Sequence, residues 1–228
     1  MMSHPPQRTF IHAEADDRLR MVNKARNKEI DDCWDLFLNS AAEEIAYQNF
    51  AAIYDLCIND LLAYGISMGF DEDTCRDAAQ DVFCNLFTKR RQLKDVSSLT
   101  AYLFSSFRNN IFNIYKKTSK FSDFDVTRLP FATEVTVLDT LIGDEERALL
   151  KSTVETMLNQ LTPRQREAIY LRYMQNMNYD EIATLLGMNA GSVRKLVYRS
   201  IRSLRQQAKD SDNPLAILVL LWIFTGPA

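Results

Sequence analysis

Cations cluster at helical spacing in the stretch NAGSVRKLVYRSIRSLRQQ, residues 189–207. Val193, Leu196, Val197, Ile201 and Leu204 recur at steps of three and four and form one apolar stripe. Ser192, Arg194, Lys195, Tyr198, Arg199 and Arg202 then fall on the other side, with Arg205 beyond them. The chemistry open to such a face is non-covalent. Arginine can bond bidentately to guanine O6 and N7, while lysine and serine reach phosphates or base edges. A solvated basic face is the plain alternative for an isolated helix. Neutralising about five phosphates would give binding a log-log salt slope near about −4.5.

Covalent and metal chemistry lack the residues they need. The only histidines, His4 and His12, lie near the start, and Cys33, Cys57, Cys75 and Cys84 show no CxxC spacing. No glycine-rich loop that would cradle a phosphate appears. These absences predict no metal, no cofactor and no enzyme, with the cysteines as small thiols in a reducing cytosol. The first thirty residues are charged and lack an apolar core segment, so a cytoplasmic protein is expected.

The basic face must be carried by something, and the local signals specify what. In LTPRQ, Thr162 is placed to cap a helix, Pro163 suits its first position and Gln165 completes a capping box. Asn178 and Glu181 repeat the device before EIATLL, Gly187 suits a left-handed turn, and Asn189 can cap the basic helix. Two helices, a tight glycine turn and a basic helix make a helix-turn-helix unit, whose second helix enters the major groove by its first half.

Upstream, Ala46, Phe50, Ile53, Tyr54, Cys57, Leu61, Tyr64 and Met68 share one face of a long helix that Gly69 would end. Cys75, Ala78, Ala79, Val82 and Leu86 share a face of a second, and Leu99, Leu103, Phe107, Asn110, Ile111 and Ile114 of a third. Such stripes can cover one another in a small bundle. The 228 residues hold 46% hydrophobic and 25% charged side chains but only six glycines and six prolines, too few for a turn-rich β fold.

Charge is segregated. Residues 88–120 carry eight Lys/Arg against one acid (+7), residues 121–146 one against seven (−6), and residues 160–209 nine against three (+6). The expected architecture is therefore all-α: a leader over 1–40 entering a helix near Asp31–Leu38, a three- or four-helix bundle over 41–120, an acidic linker over 121–143, a helix-turn-helix domain over 144–209, and an apolar tail over 210–228. The tail contains ten consecutive apolar residues, Leu215–Phe224, about 15 Å as a helix and short of the roughly 20 residues that a membrane span needs. It is expected to dock in cis or on a partner, so the chain is not expected to be an integral membrane protein.

Taken together, RDAAQDVF (residues 76–83), AYLFSSFRNNIFNIYKK (residues 101–117) and the run from LTPRQ to IRSLR (residues 161–205) resemble the extracytoplasmic-function sigma factors, promoter-specificity subunits of bacterial RNA polymerase. The resemblance spans about Tyr47–Arg205. It implies that Asp77, Gln80, Asp81 and Phe83 bind core polymerase through the β′ clamp helices, with the β flap as a further contact. It implies that Arg108, Asn109, Asn113, Tyr115, Lys116 and Lys117 melt and read the −10 element. Ser192, Arg194, Lys195, Tyr198, Arg199 and Arg202 would read the −35 element. Single-stranded DNA is held by aromatics among cations, and Tyr102, Phe104, Phe112 and Tyr115 supply candidates. The implied partners are core polymerase, promoter DNA and an anti-sigma factor or other regulator. Leu196 and Asn113 depart from the family's usual Arg and Asp. An autonomous helix-turn-helix regulator binding operator DNA as a dimer is the alternative, and it would bind duplex without polymerase.

Overall fold

The computed structural model describes residues 25–118, 129–132 and 144–210, and among these every regular element is helical. The first four helices are α1 (25–39), α2 (Glu43–Ser67), α3 (Glu72–Thr88) and α4 (Leu99–Thr118), with a 3-10 turn at Arg90–Gln92 between the last two. Most of the predicted stripe residues form their core: Ala46, Ile53, Cys57, Leu61, Tyr64 and Met68 of α2 and its end, Cys75, Ala78, Ala79, Val82 and Leu86 of α3, and Leu99, Leu103, Phe107 and Ile111 of α4 are buried, whereas Tyr54 is exposed and Phe50, Asn110 and Ile114 are half-buried. Gly69, at φ 87°, reverses the chain after α2, and the Asp71 carboxylate then caps α3 by accepting from the Thr74 N–H at 2.8 Å. Burying these faces supplies the main driving force for the bundle.

One boundary differs from expectation. α1 begins by residue 25, and its Ile30, Trp34 and Phe37 are buried in the same core, so this part of the expected leader belongs to the bundle. These three residues recur at a helical spacing of four and three, but the charges around Ile30 and Trp34 and the extra Leu36 and Leu38 obscure the stripe.

The second group comprises α5 (Asp144–Asn159), α6 (Pro163–Ile169), α7 (Tyr179–Leu186) and α8 (Ala190–Asp210). Both capping boxes form, at Thr162/Gln165 and Asn178/Glu181, and Gly187 takes the left-handed conformation at φ 64°. Sequence periodicity did not foretell the π-helical turn over Tyr170–Met174 that follows α6, nor the left-handed Asn176 at φ 52° that redirects the chain toward α7.

The two groups pack on each other, with α4 against α7. Residues 129–132 lie across the junction: Phe131 is buried beside the rings of Tyr64 and Tyr170, at 5.9 and 5.6 Å, and the Ala132 N–H donates to the Ser67 carbonyl at 2.8 Å. The apolar tail 215–224, the rest of the acidic linker and residues 1–24 lie outside the described residues. Among the described residues no helix is long and apolar enough to cross a membrane, and no group of side chains could hold a metal ion.

Candidate functional site

The basic face of α8 is built by its opposite side. Val193, Val197 and Leu204 are buried, and α8 packs on α5, α6 and α7, which fixes the helix's rotation about its axis. Arg194, Lys195, Tyr198, Arg199 and Arg202 are thereby exposed, and Ser192 is half-buried. The Asn189 side chain caps the helix by accepting from the Ser192 N–H at 2.7 Å. Tyr198 is 66% exposed, unusual for a large ring without an external surface to meet. Leu196 packs on the core, as its place on the stripe requires. The Arg194 guanidinium lies over the Tyr179 ring at 5.2 Å, and Arg172 lies over the same ring at 4.9 Å. Tyr179 is a member of this site that spacing did not reveal.

On α4, Asn109, Asn113, Tyr115, Lys116 and Lys117 are exposed, and Tyr115 meets Phe70 edge-on at 5.6 Å. Of the four aromatic candidates only Tyr115 is exposed. Phe104 and Phe112 are buried and Tyr102 is half-buried, because they lie on or beside the stripe that faces α2.

Arg108 is set apart from its neighbours on α4. It is 5% exposed, and its Nη1 donates to the Tyr64 hydroxyl at 2.7 Å and to Glu167 Oε1 on α6. The Tyr64 hydroxyl donates to the same Oε1 at 2.7 Å, and Arg164 reaches Oε2 at 3.4 Å. The Arg108 guanidinium also lies 4.8 Å from the Phe112 ring centre. Burial works to lower the arginine's affinity for its proton, but Tyr64 and Glu167 outweigh it and the net shift is upward. Burial raises the Tyr64 hydroxyl well above the usual tyrosine range, and the Glu167 carboxylate pushes the same way. Arg108 therefore does not share the exposed face expected of it in this arrangement. Glu167 and Tyr64 lie 59 and 103 positions apart from Arg108 and from Glu167 respectively, separations at which no local pattern signals contact.

On α3, Asp77, Gln80 and Asp81 are exposed along one side. Phe83 is not part of that surface. It is 3% exposed and packs 4.7 Å from the Tyr54 ring, two positions past Asp81 and so turned toward α2. Beside it an apolar groove between α2 and α3 is lined by Tyr47, Phe50, Tyr54, Gln80, Phe83 and Phe87.

A family model described as "Sigma-70, region 4" matches residues 151–204, which run from α5 into α8. The chain is similar to the "ECF RNA polymerase sigma factor SigM" of Bacillus subtilis (strain 168), at 23% identity over 162 residues, covering 67% of this chain and 91% of that protein. It is similar at 22% over 159 residues to the "RNA polymerase sigma factor YlaC" of the same organism, covering 70% and 91%. Among solved structures, a complex of the sigma factor RpoE with the anti-sigma factor NepR from Bartonella quintana matches with a TM-score of 0.49 and 24% identity, covering 73% of this chain and 99% of that one.

Proposed function

We infer that this chain, which belongs to the extracytoplasmic-function sigma factors, binds core RNA polymerase and directs it to promoters. The observation that carries the reading is the capped helix-turn-helix of α7 and α8, whose exposed Arg194, Lys195, Tyr198, Arg199 and Arg202 fall within the segment matched by the region 4 family model. These residues would contact the −35 duplex, arginines at base edges and phosphates, lysine chiefly at phosphates.

For the −10 element the exposed Asn109, Asn113, Tyr115, Lys116 and Lys117 of α4 offer polar groups, one ring and two cations to a melted strand. Exposed Asp77, Gln80 and Asp81 of α3 offer an acidic surface to the β′ clamp helices. Such a factor performs no covalent chemistry. Its control would lie in release or sequestration, by an anti-sigma factor or another regulator, and the apolar tail would dock in cis or on a partner. The autonomous dimeric regulator is not favoured, since the similarity to sigma factors runs over most of the chain and not over the helix-turn-helix alone.

Core polymerase pull-down followed by run-off transcription from a genomic fragment library tests the reading. Discrete transcripts that require both core and this chain are expected. Absence of core binding would sink it.

A further inference from the structure

Arg108 faces two incompatible demands. As part of a −10-reading face it must reach DNA, yet it is 5% exposed, with Nη1 bonded to Glu167 and Tyr64. A carboxylate presents to a guanidinium the same kind of paired anionic oxygens that a phosphate does. We propose that Glu167 acts as a carboxylate decoy on Arg108 and latches the two domains into a closed form that cannot read a promoter until the pair separates. This rests on the sigma-factor reading above.

The latch joins elements that have to part. By their names the −35 and −10 elements lie about 25 base pairs apart, roughly 85 Å at about 3.4 Å per pair. A compact body of about 165 residues has a radius of gyration near ~15 Å, hence a width of roughly 40 Å. With α4 packed on α7, one closed body cannot reach both elements. The contact is also more than one ion pair. Tyr64 and Tyr170 stack across it at 6.0 Å and 14° between planes, Phe131 is wedged beside them, and Arg166 donates to the Phe131 carbonyl.

The energetics suit a reversible latch. A buried ion pair gains Coulomb attraction but forfeits the hydration of both ions, and the two roughly cancel. Opening rehydrates Arg108 and Glu167 together, so the pair specifies the closed arrangement without making it irreversible. Removing one partner is different: the survivor is left charged and unpaired unless the domains separate. The same Nη1 cannot serve Glu167 and DNA at once.

Two variants of the full chain, Glu167→Gln and Glu167→Ala, test this. Glu167 lies in neither the expected DNA faces nor the polymerase surface. Small-angle X-ray scattering is expected to show a larger radius of gyration for both. If the closed form makes up about nine-tenths of the wild-type population, half-maximal promoter occupancy at fixed core polymerase should need about tenfold less variant protein. Run-off output at saturating protein should equal wild type. An unchanged radius in both variants overturns the latch, as does a larger radius with an unchanged promoter titration. Should these variants misfold by circular dichroism, Tyr64→Phe keeps the ring, removes the shared hydroxyl and is expected to shift both readouts the same way. Wild type that binds no core at any concentration overturns the sigma-factor reading itself, an outcome separable from equal binding by wild type and variants.

Discussion

Tyr179 shows how a residue outside the basic stripe can govern it. Its ring is flanked by Arg172 and Arg194 at 4.9 and 5.2 Å, contacts worth about 0.5–1 kcal/mol each at an exposed site. The stacking holds Arg194 in one orientation beside the start of α8, where a base edge would meet it. Tyr179→Leu is expected to lower affinity for a −35 duplex about two- to fivefold in holoenzyme footprinting. Circular dichroism should show the fold retained; an unchanged footprint titration would show that Arg194 does not depend on the ring. The exposure of Arg194, Lys195, Tyr198, Arg199 and Arg202 was legible in the sequence, because a helix's apolar stripe determines which residues lie opposite. Arg108 escaped the same logic. It lies beside Phe107 at the border of the α4 stripe, and only a carboxylate from another domain explains its burial.

Elements ended where local chemistry told them to. Thr162, Asn178, Gly187 and Asn189 each satisfy backbone groups within a few positions of themselves, so their roles could be read in order along the chain. Gly65 tells the opposite story. Nothing nearby in sequence requires glycine in the middle of a good helix, but a Cβ there would lie 2.5 Å from Cys75 Sγ and 2.9 Å from the Phe107 ring. The close approach of α2 to both α3 and α4 depends on that missing methyl. Gly65→Ala is expected to cost about 1–3 kcal/mol through overpacking, despite alanine's better helix propensity. A thermal melt of the full chain checks it, and a melting temperature equal to or above wild type would contradict the packing argument. The π-helical turn at Tyr170–Met174 was equally unreadable; its first residue, Tyr170, packs on Tyr64 and Phe131, both distant in sequence.

Across the whole molecule the junction of the two helical groups carries two buried tyrosine hydroxyls and one buried ion pair. Burial raises the proton affinity of Tyr64 and also that of Tyr170, whose Oη accepts from Gln175 Nε2 at 3.1 Å. A tyrosine whose folded pKa lies above its unfolded value of about 10 contributes stability that is fully present below about pH 10 and is lost as pH rises past it. The closed arrangement should therefore open in alkali, with the late part of the tyrosinate absorbance titration coinciding with an increase in radius of gyration. Tyr64→Phe should reduce the late amplitude; a wild-type titration that ends without any late phase would remove the argument. By itself the sequence determined the stripes of α2, α3 and α4, the caps of α6, α7 and α8, and the basic face of α8, because each follows from periodicity or from contacts within one turn. The tertiary structure alone decided that α1 joins the core, that Phe83 turns inward and that Arg108 is taken by Glu167. Those depend on which surfaces meet across long separations, where burial and charge pairing act between elements that leave no periodic trace in the chain.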